Sequence, residues 1–65
     1  MNSVIGKTGL VTKNVSNHDG RIIIGDINWE AKTKEPDLLI PENSLVQVVE
    51  IENLTVFVIP IIVNN

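Results

Sequence analysis

Nineteen of the 65 residues are valine or isoleucine and only one, Ala31, is alanine. Branching at Cβ leaves these side chains stiff at the first torsion, which disfavours helix and suits packing on a pleated surface. The chain therefore reads as all-β. Its length allows a single domain, and a domain this short buries only about 60% of the surface its unfolded chain exposes, so every apolar residue has to contribute. No cysteine is present, which removes the disulfide framework and the thiolate zinc site that staple many small folds. A net charge of −3 disfavours long-range capture of a phosphate backbone. Two aromatic residues are too few for a base-stacking platform. The most apolar run, Leu54 to Val63, is interrupted by Thr55 and Pro60 and falls well short of the roughly 20 residues needed to span a bilayer. The start lacks the basic-then-apolar pattern of a signal peptide, so the segment is expected to be soluble.

Turn signals divide the chain into short strands, with an ordered core expected over residues 4–61 and fraying ends. A long bent first strand is expected from Ser3 to Val15, with Gly6 and Gly9 inside it permitting a bulge or a close backbone approach. The polar cluster Ser16-Asn17-His18-Asp19-Gly20 then reverses the chain. Arg21 to Gly25 is a short strand, Gly25-Asp26 a kink or bulge, and Ile27 to Lys34 an alternating strand with Ile27, Trp29, Ala31 and Thr33 on its buried face. Lys34 to Ser44, with two prolines around Leu38-Leu39-Ile40, is a connector with room for one helical turn. Leu45 to Glu52 and Leu54 to Pro60 form a tight hairpin about Asn53, a residue that tolerates positive φ. Five or six strands in antiparallel meander with one crossover are best closed into a small barrel, because closure removes exposed edges. The expected fold is a five-stranded antiparallel barrel of the oligonucleotide/oligosaccharide-binding type, with an SH3-like barrel as the alternative.

The ordered succession Gly6-Lys7-Thr8-Gly9, Gly20, Ile24-Gly25, Trp29-Glu30-Ala31, Ile40-Pro41, Val46-Gln47-Val48-Val49, Leu54-Thr55-Val56 and Pro60 resembles the carboxyl-terminal soluble domain of the NfeD family. It spans Val4 to Pro60. Two departures lie in turns: Asn17-His18-Asp19-Gly20 replaces a proline-glycine turn, and Asn43-Ser44 stands where a glycine is common. The resemblance implies a five-stranded barrel, tethered to membrane helices in a longer protein, that associates with stomatin- or prohibitin-like membrane proteins. It implies a membrane-associated location with this domain in the cytoplasm. Longer members carry a serine protease domain, of which these residues contain nothing.

Candidate chemistry is sparse. Gly6-Lys7-Thr8 matches the end of a phosphate-binding loop but lacks the earlier glycine and a following helix. His18, the single histidine, has only Asp19 beside it, too few ligands for a metal. Glu50 and Glu52 share a strand face about 7 Å apart, as a solvated pair would. No nucleophile has a base in register with it, so no enzyme, cofactor or metal is expected. Two sequons, at Asn14 and Asn53, are read as chance. The last strand is different: Leu54, Val56 and Val58 form one apolar face and Phe57, Ile59 and Ile61 another, yet a barrel has one interior. Either the connector covers the second face, or Phe57, Ile59 and Ile61 bind a partner, whether a stomatin-like protein or a second copy of the chain. The leading function is thus a non-catalytic protein-interaction module. The alternative is a single-stranded nucleic-acid-binding barrel using Lys7, Lys13, Arg21, Lys32 and Lys34, and a ligand-free spacer is the third reading.

Overall fold

The structure, a computed structural model, describes residues 3–62. It is a closed five-stranded barrel with no helix among those residues. The strands are β1 (Thr8–Lys13), β2 (Arg21–Ile24), β3 (Ile27–Lys32), β4 (Leu45–Glu52) and β5 (Thr55–Pro60), ordered β1-β2-β3-β5-β4 around the wall. That is the oligonucleotide/oligosaccharide-binding arrangement. One pairing departs from an all-antiparallel meander: β3 and β5 run parallel, Glu30 to Lys32 beside Thr55 to Phe57. The reason is topological. With β4 and β5 joined as a hairpin and β4 returning to pair with β1, β5 is left to close on β3 in the same direction.

One face of each strand fills the interior. Val11, Val15, Ile22, Ala31, Ile40, Val46, Val48, Val56 and Val58 are buried, with Val4, Ile24, Trp29 and Leu38 packed against them. The expected buried face of β3 is thus present at Ala31 and Thr33 and only partly at Trp29, while Ile27 lies at the barrel end and is exposed. The connector holds on through Leu38 and through Ile40, which exchanges two 2.8 Å backbone hydrogen bonds with Val15. Its closed turns, Leu38 N–H to the Glu35 carbonyl and Ser44 N–H to the Pro41 carbonyl, do not extend into a helix.

Strand limits differ from the sequence expectation at several places: β1 ends at Lys13 rather than Val15 and β3 at Lys32 rather than Lys34, and three further differences have local reasons. Residues 3–7 are not strand. Gly6 takes φ +90°, and the Lys7 N–H bonds back to the Val4 carbonyl, so the chain turns before entering β1 at Thr8. Gly25-Asp26 is the turn of a two-residue hairpin rather than a kink or bulge, since Ile24 pairs with Ile27 and Gly25 supplies positive φ at the first turn position. Leu54 belongs to the β4–β5 turn, where Asn53 carries the positive φ, 57°. Asn43 does the same at 72° before β4. Gly20 is required by space: a Cβ there would lie 2.6 Å from the Val15 Cα.

Candidate partner-binding face

The outward side of β5 follows from strand alternation. With Val56 and Val58 inside, Phe57 and Ile59 point out. Ile61 continues past the strand end, held beside β4 by its N–H to the Leu45 carbonyl at 3.0 Å. Ile59 is 45% exposed and Ile61 36%, so the connector does not cover them. Its Leu38 and Ile40 go to the core instead. Phe57 is half-buried, and what stands over it is Lys34, whose Nζ lies 5.0 Å from the ring centroid and 2.7 Å from Glu50 Oε1. The connector thus shields one of the three residues, through its first side chain.

Register extends this face beyond β5. Gln47 is opposite Ile59, Leu10 opposite Leu45, and Ile23 opposite Leu10. Leu10 and Leu45 are 38% and 46% exposed, so an outward aliphatic band runs from Ile23 through Leu10 and Leu45 to Ile59 and Ile61. Sequence reasoning missed Ile23, Leu10 and Leu45. For Leu10 the signal was present, because Gly9 and Val11 flank it on the buried side. For Leu45 the cross-strand partner decides, and a single strand does not show it.

The remaining candidates stay apart. Gly6-Lys7-Thr8 enters a strand, so no helix end is there to hold phosphate. His18 is exposed in the turn, where the Ser16 Oγ accepts its backbone N–H and that of Asp19, and Asp19 is 3.9 Å from Lys13 Nζ. Glu50 is held by Lys34 and separated from the Val48–Val58 pair by a bulge, while Glu52 lies at the hairpin end. Among the described residues no cluster of His, Cys, Asp or Glu could hold a metal ion. None of their helices is long and apolar enough to cross a membrane, there being none at all. Trp29 borders two shallow cavities of about 240 and 290 Å³ at the β2–β3 end of the barrel.

A small β-barrel with a filled interior and an aliphatic outer band is a scaffold that presents surface. Comparison with protein families then places it: residues 1–60 match the NfeD-like C-terminal, partner-binding domain, and the chain belongs to that family. Similar solved structures include two domains. One is the C-terminal domain of stomatin operon partner protein 1510-C from Pyrococcus horikoshii, at 30% identity and TM-score 0.79, covering 88% of this chain and 86% of that one. The other is the soluble domain of a membrane protein implicated in regulation of membrane protease activity from Corynebacterium glutamicum, at 24% identity and TM-score 0.81 over 85% and 87%. Comparison with curated proteins gives no match.

Proposed function

We propose that this domain is a non-catalytic protein-interaction module, a carboxyl-terminal part of a longer membrane-anchored protein, that docks a stomatin- or prohibitin-like membrane protein through Phe57, Ile59 and Ile61. The observation that carries the reading is the outer face of β5: its inner side chains already fill the barrel, yet Ile59 and Ile61 remain open to solvent. Contiguous aliphatic surface of this kind on a small domain marks an interaction site. The family's partner-binding description and the name of the Pyrococcus relative supply the class of partner. Burial of the band contributes about 25 cal/mol per Å² before ordering costs, and the acidic balance disfavours anionic partners.

The test is capture of the stomatin-like protein of the same genome by the full-length protein in detergent. Ile59→Asp combined with Ile61→Asp removes two anchors and is expected to weaken binding by at least about tenfold, the loss typical of central interface residues. Circular dichroism and Trp29 fluorescence should be unchanged. Undiminished capture, or loss of the fold, would refute the assignment of these residues.

A further inference from the structure

The seam between β3 and β5 is incomplete at the start of β3. Ala31 N–H donates to the Gly20 carbonyl on the β2 side at 3.0 Å, and backbone groups alternate sides along a strand, so Trp29 also turns its groups to β2. Asn28 and Glu30 turn theirs to the opposite side, which β5 occupies only from Glu30 onward. The amide and carbonyl of Asn28 are therefore left at an open strand edge. Along that edge lies the 290 Å³ cavity bounded by Ile27, Asn28, Trp29, Glu30 and Leu54, with Ile27 60% and Leu54 80% exposed. Across Trp29 the second cavity ends at Lys7, which has no carboxylate within 4 Å among the described residues. The two cavities share Ile27 and Trp29 and so border one groove, with Lys7 on the side of one and Glu30 on the side of the other, where the Glu30 carboxylate accepts the Thr55 hydroxyl at 2.7 Å.

We infer that this groove accepts an extended peptide segment as an added strand on the free edge of β3, at a surface separate from Phe57, Ile59 and Ile61. Strand addition draws affinity from main-chain hydrogen bonds and selectivity from pockets for alternate side chains. Here Asn28 supplies the main-chain pair, and Ile27, Trp29 and Leu54 meet the inward aliphatic side chains. A peptide carboxylate answers Lys7, and a peptide cation answers Glu30. A nucleic acid fits less well: one ring gives one stacking position, and Glu30 repels phosphate.

Trp29 is the only tryptophan, so its emission reports on the groove without a label. The probe is a synthetic peptide of about six residues, the usual strand length, alternating valine and threonine between an aspartate and a lysine. It should shift Trp29 emission to the blue saturably, with Kd below about 1 mM, and the version with lysine at both ends should bind at least about threefold more weakly. Net attraction to an acidic chain runs the other way, so that preference has to arise in the groove. Asn28→Pro removes the edge N–H without touching the β2 ladder, and Leu54→Lys alters only an exposed side chain. Each should weaken the peptide at least about fivefold, and Leu54→Lys decides the matter if Asn28→Pro does not fold. No shift at peptide concentrations near about 5 mM, equal affinity in the folded variants, a response to oligothymidine in place of peptide, or a shift produced by concentrating the protein alone would each overturn the inference.

Discussion

Gly20→Ala should be far more damaging than an alanine at the other turn glycines. The methyl group would lie 2.6 Å from the Val15 Cα, 2.7 Å from its Cγ2 and 2.9 Å from the Asn14 carbonyl oxygen. Neither side can retreat easily. Val15 is fully buried and tied to Ile40 by two 2.8 Å hydrogen bonds, and the Gly20 carbonyl accepts the Ala31 N–H. Relief requires losing about one backbone hydrogen bond, about 1 kcal/mol, and repacking Val15, about 2 kcal/mol, for a total of about 3 kcal/mol. Gly25→Ala is the control: positive φ but nothing within 4 Å, so it should lose only the left-handed penalty of about 1 kcal/mol. A domain of this length is stabilised by about 3–10 kcal/mol in total, so Gly20→Ala should be marginal or unfolded while Gly25→Ala remains folded. Urea titration followed by Trp29 fluorescence measures both. With a slope near 1 kcal/mol/M, the midpoints should fall by about 3 M and about 1 M. Equal midpoints for the two variants would refute the claim that the Val15–Gly20 approach, rather than turn conformation, fixes this glycine.

Asn53→Gly should raise stability by up to about 1 kcal/mol in the same titration, because residue 53 already sits at φ 57°, where a side chain is disfavoured. Val56→Ala, at the centre of the core, should cost about 2 kcal/mol by transfer and cavity together, against less than about 0.5 kcal/mol for Val49→Ala at the exposed bulge. Lys34→Ala should change stability by no more than about 1 kcal/mol, since its ion pair with Glu50 is solvent-exposed, and chemical denaturation in low and high salt should show the small difference shrinking.

The β4–β5 hairpin was the most legible part of the chain. Val46 and Val48 in β4 and Val56 and Val58 in β5 each alternate inward on either side of the turn at Asn53, and β4 has the expected limits, Leu45 to Glu52. The amino-terminal strand was the least legible. Val4, Ile5 and Leu10 carry β-forming side chains, but Gly6 serves as a turn rather than a bulge, and glycine permits both. The parallel β3–β5 pairing was not readable from either strand. Direction is decided by which neighbours the hairpin and the β1–β4 contact leave free, a property of closure rather than of Thr55 or Glu30. Half of the candidate face had the same status. Phe57, Ile59 and Ile61 stand out because they make a strand apolar on both sides, whereas Leu10 and Leu45 belong to the band only through the register that sets them side by side.

Closure also determines where recognition can occur. A barrel this narrow uses the inner side chains of all five strands for its own core, so nothing inside is left for a ligand. What remains among the described residues is the outer wall and strand edge such as the start of β3, which β5 does not reach. The wall is divided: Ile23, Leu10, Leu45, Ile59 and Ile61 make an uncharged sector, and Lys34 and Glu50 meet over Phe57 at its border. Charge at such a border adds little to affinity but penalises partners whose charges fall in the wrong register. A partner approaching the aliphatic band must either leave the Lys34–Glu50 pair in place or displace it to reach the ring. If the proposed docking through this face holds, Phe57 would act as a selective contact, while Ile59 and Ile61 would supply burial to any partner that fits.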